Sequence, residues 1–241
     1  MHDTTTTTPC PIAVIGRGRL GSVLAAALDA GPPLARGAAP PAGAAIVILA
    51  VPDDAIAPLA REIAPGPLVG HCSGSLTLDV LAPHAERFSL HPLMTVAAGA
   101  GPAVLRGAAA AIAGSTPHAL ATAAALARAA GLEPLEVADA DRALYHAAAS
   151  FASNFLVTVE SIADRLFAAA GVEHRHAARL ASAALENWAA QGPRALTGPI
   201  ARGDEATVAR QRDALATRAP DLVDLFDALA GATRALAAVP A

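Results

Sequence analysis

The stretch from Ile12 to Gly21, Ile-Ala-Val-Ile-Gly-Arg-Gly-Arg-Leu-Gly, constrains the fold more than any other part of the chain. Four apolar residues rich in β-branched side chains make a short buried strand that runs straight into glycines. Gly16, Gly18 and Gly21 have the G-x-G-x-x-G spacing, and Ser22 to Leu28 continues as an alanine-rich helix. The first glycine permits a tight turn, the second lets a pyrophosphate approach the backbone, and the third packs helix on strand. The helix N-terminus then offers unpaired N–H groups to phosphates. Glycine turns between strand and helix also arise without a ligand, but strand, glycines and helix are all in place. The stretch therefore predicts a dinucleotide site formed by Gly16, Arg17, Gly18, Arg19, Leu20 and Gly21.

Composition narrows what such a chain can be. The 241 residues suffice for one large domain or two smaller ones, and although 54% are apolar, no apolar run reaches the ~18 residues of a membrane span. A net charge of −4 argues against a nucleic-acid partner. Two cysteines, Cys10 and Cys72, are too few for a disulfide framework. The start, Met-His-Asp-Thr with a threonine run, has neither the basic nor the apolar region of a secretory signal, so a cytoplasmic protein is expected. All seventeen basic residues are arginine; the chain has no lysine.

Residues 1–10 read as a disordered tail. After the first helix, Pro33-Leu-Ala-Arg36 is a short second strand without β-branched residues, expected at an irregular sheet edge. Arg36 lies twenty positions after Gly16, where NAD enzymes carry an acid for the ribose 2′-OH and NADP enzymes an arginine nearby. No acidic residue lies between Ala30 and Pro52, and Arg17 and Arg19 add positive charge, so NADP is favoured over NAD. Ala45 to Val51 is a continuous apolar strand suited to a parallel sheet covered on both faces. Asp53 or Asp54 is placed to cap the next helix. Further strands follow at Leu68–Gly70, Arg87–His91, Ala109–Gly114 and Leu132–Val137. Strand signals then stop: one long helix is predicted from Asp139 to Ala170, and more helices to about Ala238. The layout is α/β, a Rossmann-type mostly parallel sheet over residues 11–138 followed by an all-helical C-terminal domain over residues 139–241.

Two groups of polar residues fall where ligands of such sheets bind. His71, Ser73, Ser75 and His91 sit at the ends of two successive strands, where histidine can give or take a proton near neutrality. On the long helix, His146, Ser150 and Asn154 follow i, i+4, i+8 spacing with Ser153 adjacent, a polar stripe on an otherwise apolar helix. Such a stripe either faces water or lines a site, and its His, Ser and Asn suit the orientation of a carbonyl. The Thr197–Asp204 loop holds Arg202 between glycines and a proline, a setting in which a guanidinium can grip a carboxylate; the same residues also serve as helix stop and start signals. His174 and His176, two apart on a helix, point to different faces and make no metal site. Cys72 is read as a small buried thiol.

Gly-Arg-Gly-Arg-Leu-Gly (16–21), Ala-Val-Pro-Asp-Asp (50–54), His-Cys-Ser-Gly-Ser (71–75), His-Pro-Leu-Met-Thr (91–95), Tyr-His-Ala-Ala-Ala-Ser-Phe-Ala-Ser-Asn-Phe (145–155) and Leu-Thr-Gly-Pro-Ile-Ala-Arg-Gly-Asp (196–204) together resemble a bacterial family of Rossmann-like proteins with a helical C-terminal domain, described as candidate oxidoreductases. More distantly the layout looks like ketopantoate reductase, pyrroline-carboxylate reductase and the β-hydroxyacid dehydrogenases, whose C-terminal domains are of the 6-phosphogluconate dehydrogenase type. The resemblance implies a helical domain that closes over the nicotinamide and dimerises, and adds Val51 and Pro52 to the cofactor-binding residues. Ketopantoate reductases and β-hydroxyacid dehydrogenases use a lysine from the first helix of the second domain as acid or base, and this chain has none. His146 on the corresponding helix, or His91, is the replacement expected.

The sequence thus predicts an NADP-dependent oxidoreductase of small keto or hydroxy acids, ketopantoate among them. In this reading His146, Asn154, Ser150 and His91 act in catalysis and Ser73, Ser75, Ser153 and Arg202 hold substrate. A homodimer through the helical domain is expected, because its apolar faces are uncovered if alone. The competing readings are a non-catalytic NADP-binding sensor and an imine reductase of the pyrroline-carboxylate reductase type.

Overall fold

The computed structural model describes residues 11–238; the tail expected over residues 1–10 lies outside them. The chain divides into two compact units, residues 1–156 and 157–241. The first therefore takes in the start of the helical stretch that follows Ala138.

In the first unit the strands are β1 (Ile12–Ile15), β2 (Ile46–Leu49), β3 (Leu68–His71), β4 (Arg87–Pro92), β5 (Ala109–Gly114) and β6 (Glu133–Glu136), hydrogen-bonded in that order. β1 to β4 are mutually parallel, β5 is antiparallel to β4, and β6 is parallel to β5. On the other side of β1, Leu34 makes a single parallel bridge to Ile15, and its backbone binds Val14 and Gly16. The second strand of a Rossmann half is thus reduced to one bridge at the sheet edge, as the lack of β-branched residues in Pro33–Arg36 implies. β1 is where the strand order reverses, the position at which open α/β sheets bind ligands.

Side chains alternate between the faces of each strand, and both faces are covered. Val14, Ile46, Ile48, Phe88, Leu90 and Ile112 pack on one side with helices α1 (Arg19–Ala27) and α3 (Pro117–Ala129). Ala13, Ile15, Val47, Leu49 and Val69 pack on the other with α2 (Asp53–Glu62). Neither Asp53 nor Asp54 caps α2: Pro52 is the N-cap and no side chain bonds the first turn. The Asp53 carboxylate is drawn instead to the hydroxyls of Ser73 and Ser75, both at 2.9 Å.

The single helix expected from Asp139 to Ala170 is broken into pieces. A 3₁₀ turn (Asp139–Asp141) leads into α4 (Arg142–Ser150), a π-helical turn follows over Phe151–Phe155, and α5 (Leu156–Ala169) completes the run. A π turn inserts a residue into the α-helical ladder, so the i, i+4, i+8 register from His146 is not kept through Asn154.

The second unit holds most of α5 together with α6 (His174–Gln191), α7 (Glu205–Arg218) and α8 (Val223–Ala237). Arginine forks tie its helices together. Arg212 binds Asp227 through Nε and an Nη, and Arg234 binds Glu205 in the same way. No described helix is long and apolar enough to cross a membrane.

Candidate functional site

All the loops that follow β1 to β4 lie at one end of the sheet, because those strands are parallel. Gly18, Arg19 and Leu20 after β1, Ala50 to Asp53 after β2, Cys72 to Gly74 after β3, and Met94 and Val96 after β4 line one cleft of about 510 Å³, with His91 and His146 at its side. A second cleft of about 740 Å³ shares Arg19, His91, Met94, Val96 and His146 and extends along Tyr145, Ser150, Ser153 and Asn154. Both belong wholly to the first unit.

The glycines of the first loop have separate reasons to be glycine. Gly16 has φ +127°, and a Cβ there would stand 2.1 Å from the Ala50 carbonyl oxygen. A Cβ on Gly21 would stand 1.9 Å from the Gly16 carbonyl oxygen. Gly18 differs from both: its φ of −70° suits any residue, and an added Cβ would meet nothing within 4 Å. The chain's own packing therefore does not require glycine at 18, whereas a ligand resting against this backbone would. The first turn of α1 has no side-chain cap, so its N–H groups face outward, as anion binding requires. These features fit the pyrophosphate of a dinucleotide. Arg17 donates from Nε to the Pro33 carbonyl at 3.2 Å, which ties the turn to the stretch leading to Arg36. Arg36 is exposed in the following turn. Val51 and Pro52 border the first cleft.

His71 is wholly buried, and both of its ring nitrogens are used. Nε2 donates to the Thr77 carbonyl at 3.3 Å, and Nδ1 accepts from the Ser73 N–H at 3.2 Å. Burial, helped by the nearby Arg142 guanidinium, lowers its pKa to about 4, so the neutral ring serves as a brace for the turn. Ser73 is equally occupied. Its hydroxyl donates to Asp53 and accepts from the N–H groups of Ser75 at 3.2 Å and Leu76 at 3.1 Å. Ser75 spends its proton on the same carboxylate. These two serines build the end of β3 and hold Asp53 at the cleft edge. Cys72 is buried, and burial pushes its thiol up to about 12, which leaves it unreactive.

His91 stands where the two clefts meet. Its Nδ1 is 2.9 Å from the Tyr145 hydroxyl, and its ring packs edge-on to those of Tyr145 and His146. Burial, then the proximity of His146 and Arg142, lowers its pKa to about 4. Gly74 allows this crowding: a Cβ there would lie 2.8 Å from His146 and 2.9 Å from His91. Along the helix, Ser150 back-bonds to the His146 carbonyl at 3.1 Å, and the Ser153 hydroxyl donates to Asn154 at 3.1 Å. His146, Ser150, Ser153 and Asn154 all line the larger cleft, the last two carried there on the π turn. Arg202 lies in the second unit, exposed in the loop before α7, where Asp204 rather than Arg202 caps the helix through the Thr207 N–H.

Sequence reasoning missed Arg142. Its side chain is fully buried; Nε donates to Asp139 at 3.2 Å, one Nη lies 3.5 Å from the Ser73 carbonyl, and the other donates to the Ser89 hydroxyl. One guanidinium thus fastens α4 to β4 and to the end of β3. The signal was present as the Asp139/Arg142 i, i+3 pair at the start of the helix, but an exposed pair has the same spacing.

Sheet order, glycine turn and strand-end clefts define a Rossmann-type dinucleotide fold of the kind found in nicotinamide-dependent oxidoreductases. Residues 108–233 match the family described as Domain of unknown function (DUF2520), and the chain belongs to that family. Among solved structures, the chain is similar to a candidate NADP oxidoreductase from Bacteroides fragilis, with a TM-score of 0.80 at 21% identity over 94% of this chain and 98% of that one. It also resembles 1-pyrroline-5-carboxylate reductase from Streptococcus pyogenes (TM-score 0.61, 12% identity, 93% and 98% covered) and a reductive aminase from Aspergillus terreus in complex with NADPH (0.58, 16%, 86% and 78%). No curated protein matches by sequence.

Proposed function

We propose that this protein is an NADP-dependent oxidoreductase that moves a hydride between the nicotinamide and the carbonyl carbon of a small keto or hydroxy acid, ketopantoate-like acids among the candidates. The observation that carries the reading is Gly18, a glycine that the fold does not need, beside an uncapped helix N-terminus and a cleft that ends at a histidine pair. The bound cofactor supplies the hydride. Gly16 to Gly21 hold its pyrophosphate, Val51 and Pro52 flank it, and Arg17 and Arg36 favour a 2′-phosphate. His91 and His146 stand at the reacting carbonyl to manage its proton, and Ser150, Ser153 and Asn154 orient it. The second unit exposes Leu180, Leu185 and Trp188 on α6, which supports a homodimer through the helical region.

A second reading has its own support. His91 carries little positive charge at neutral pH, and the chain has no lysine to act as an acid. A protonated imine brings its own proton and needs no acid. Imine reduction therefore belongs in the same test, and a 1-pyrroline-5-carboxylate reductase and a reductive aminase are among the similar structures.

The test is a panel of keto acids, ketopantoate included, together with 1-pyrroline-5-carboxylate, each with saturating NADPH and followed by loss of nicotinamide absorbance. Turnover of a keto acid that is lost in His146→Ala and in His91→Asn supports the main reading. Turnover only of the imine, retained in His146→Ala, supports the second. NADPH binding without any turnover would replace both with a cofactor-sensing role.

A further inference from the structure

Tyr145 has no role in the reading above, yet it makes the one hydrogen bond that the His91 side chain has among the described residues. The contact joins β4 to α4, and Arg142, at the first turn of the same helix, fixes α4 against the Ser89 hydroxyl on β4. The pair is thus held from both ends. The Nε2 and Cε1 atoms of the His91 ring abut Gly74, and His91 borders both clefts whereas Tyr145 borders only the larger. A phenol O–H is a stronger donor than an imidazole N–H, and an imidazole nitrogen is a better acceptor than a phenol oxygen. The bond therefore runs from Tyr145 to Nδ1, which leaves the ring proton on Nε2.

We infer that Tyr145 is a positioning residue whose hydroxyl, donating to Nδ1, fixes His91 in the tautomer that presents an Nε2–H to the cofactor-side cleft. This rests on the oxidoreductase reading for its use but not for its geometry. In a carbonyl reduction, hydride adds to carbon and the Nε2 proton goes to the carbonyl oxygen, breaking the N–H bond. The Tyr145 proton moves to Nδ1; once the product leaves, Nε2 takes a proton from water and the Nδ1 proton returns to the Tyr145 oxygen across the same bond, which restores the starting tautomer. The His91 ring thus passes a proton without having to exist as an imidazolium. The charged and titratable groups facing it are Tyr145, His146 and Arg142 from α4, Asp53 from α2, and Arg19 from the start of α1.

The experiment is a long-range ¹H–¹⁵N spectrum of the full chain labelled with ¹⁵N-histidine at pH 7.5, free and with NADPH, with His91 assigned by its loss in His91→Asn. The expected result is an Nε2–H tautomer for His91 in the wild type, and a mixture of tautomers in Tyr145→Phe with the His71 and His84 signals unmoved. An Nδ1–H tautomer in the wild type, or an unchanged one in Tyr145→Phe, would overturn the inference. If Tyr145→Phe does not fold, the wild-type tautomer decides. With a keto acid that turns over, Tyr145→Phe should lower kcat by about tenfold or more while KM stays within twofold; an unchanged kcat also counts against it. Failure of the oxidoreductase reading looks different: no turnover by either protein, with the tautomer result standing.

Discussion

The charge state of two histidines ties the site to the stability of the molecule. His71 and His91 both titrate at about 4 when folded against an ordinary 6.5, because burial and Arg142 disfavour their cationic forms. Between those values the unfolded chain binds protons that the folded chain does not. The stability they help set is therefore complete above about pH 6.5 and is lost as the pH falls towards 4. For the fully buried His71 the loss at pH 5 is about 2 kcal/mol. Urea midpoints should accordingly fall between pH 7.5 and pH 5, and His71→Gln, which does not titrate, should show a shallower fall. Equal slopes for the two proteins would contradict the assignment. At this scale the sequence was an incomplete guide. His71 and His91 stood out as strand-end histidines, but nothing in the residues showed that one is a brace with both nitrogens satisfied and the other the partner of a tyrosine 54 positions away.

Among elements, the loop after β3 does the most to shape the site. It is held internally by Ser73, Ser75 and Asp53, and it brings Gly74 beneath two imidazoles. Gly74→Ala should push both rings aside and cost about 1–3 kcal/mol, the range for overpacking. The measurable results are a lower urea midpoint and a His91 tautomer signal that no longer matches the wild type; an unchanged midpoint and spectrum would show that the rings do not pack as described. The strands were legible because buried parallel strands are unbroken apolar runs, and Ile46–Leu49 is one. The weak second strand was legible from what it lacks. The π turn was not, since Phe-Ala-Ser-Asn-Phe has the same helical propensities in α or π form. Nor was the release of Asp53 from capping duty, because its serine partners lie twenty and twenty-two residues on and only the sheet brings them together.

For the whole molecule, four parallel strand ends converge on one cleft, and the sequence announced that convergence through a single glycine-rich turn. The turn is proposed to hold the pyrophosphate of a nicotinamide dinucleotide, and Gly18 separates that role from folding. Its backbone accommodates alanine and its surroundings leave room for a Cβ, so Gly18→Ala should change stability by less than about 1 kcal/mol. The measurement is a fluorescence titration of the wild type and Gly18→Ala with NADPH and with NADH, alongside urea melts of both. The expected result is wild-type binding with NADPH the tighter ligand, and at least tenfold weaker binding in a variant that melts like the wild type. Absence of binding by the wild type, or full affinity in Gly18→Ala, would contradict it.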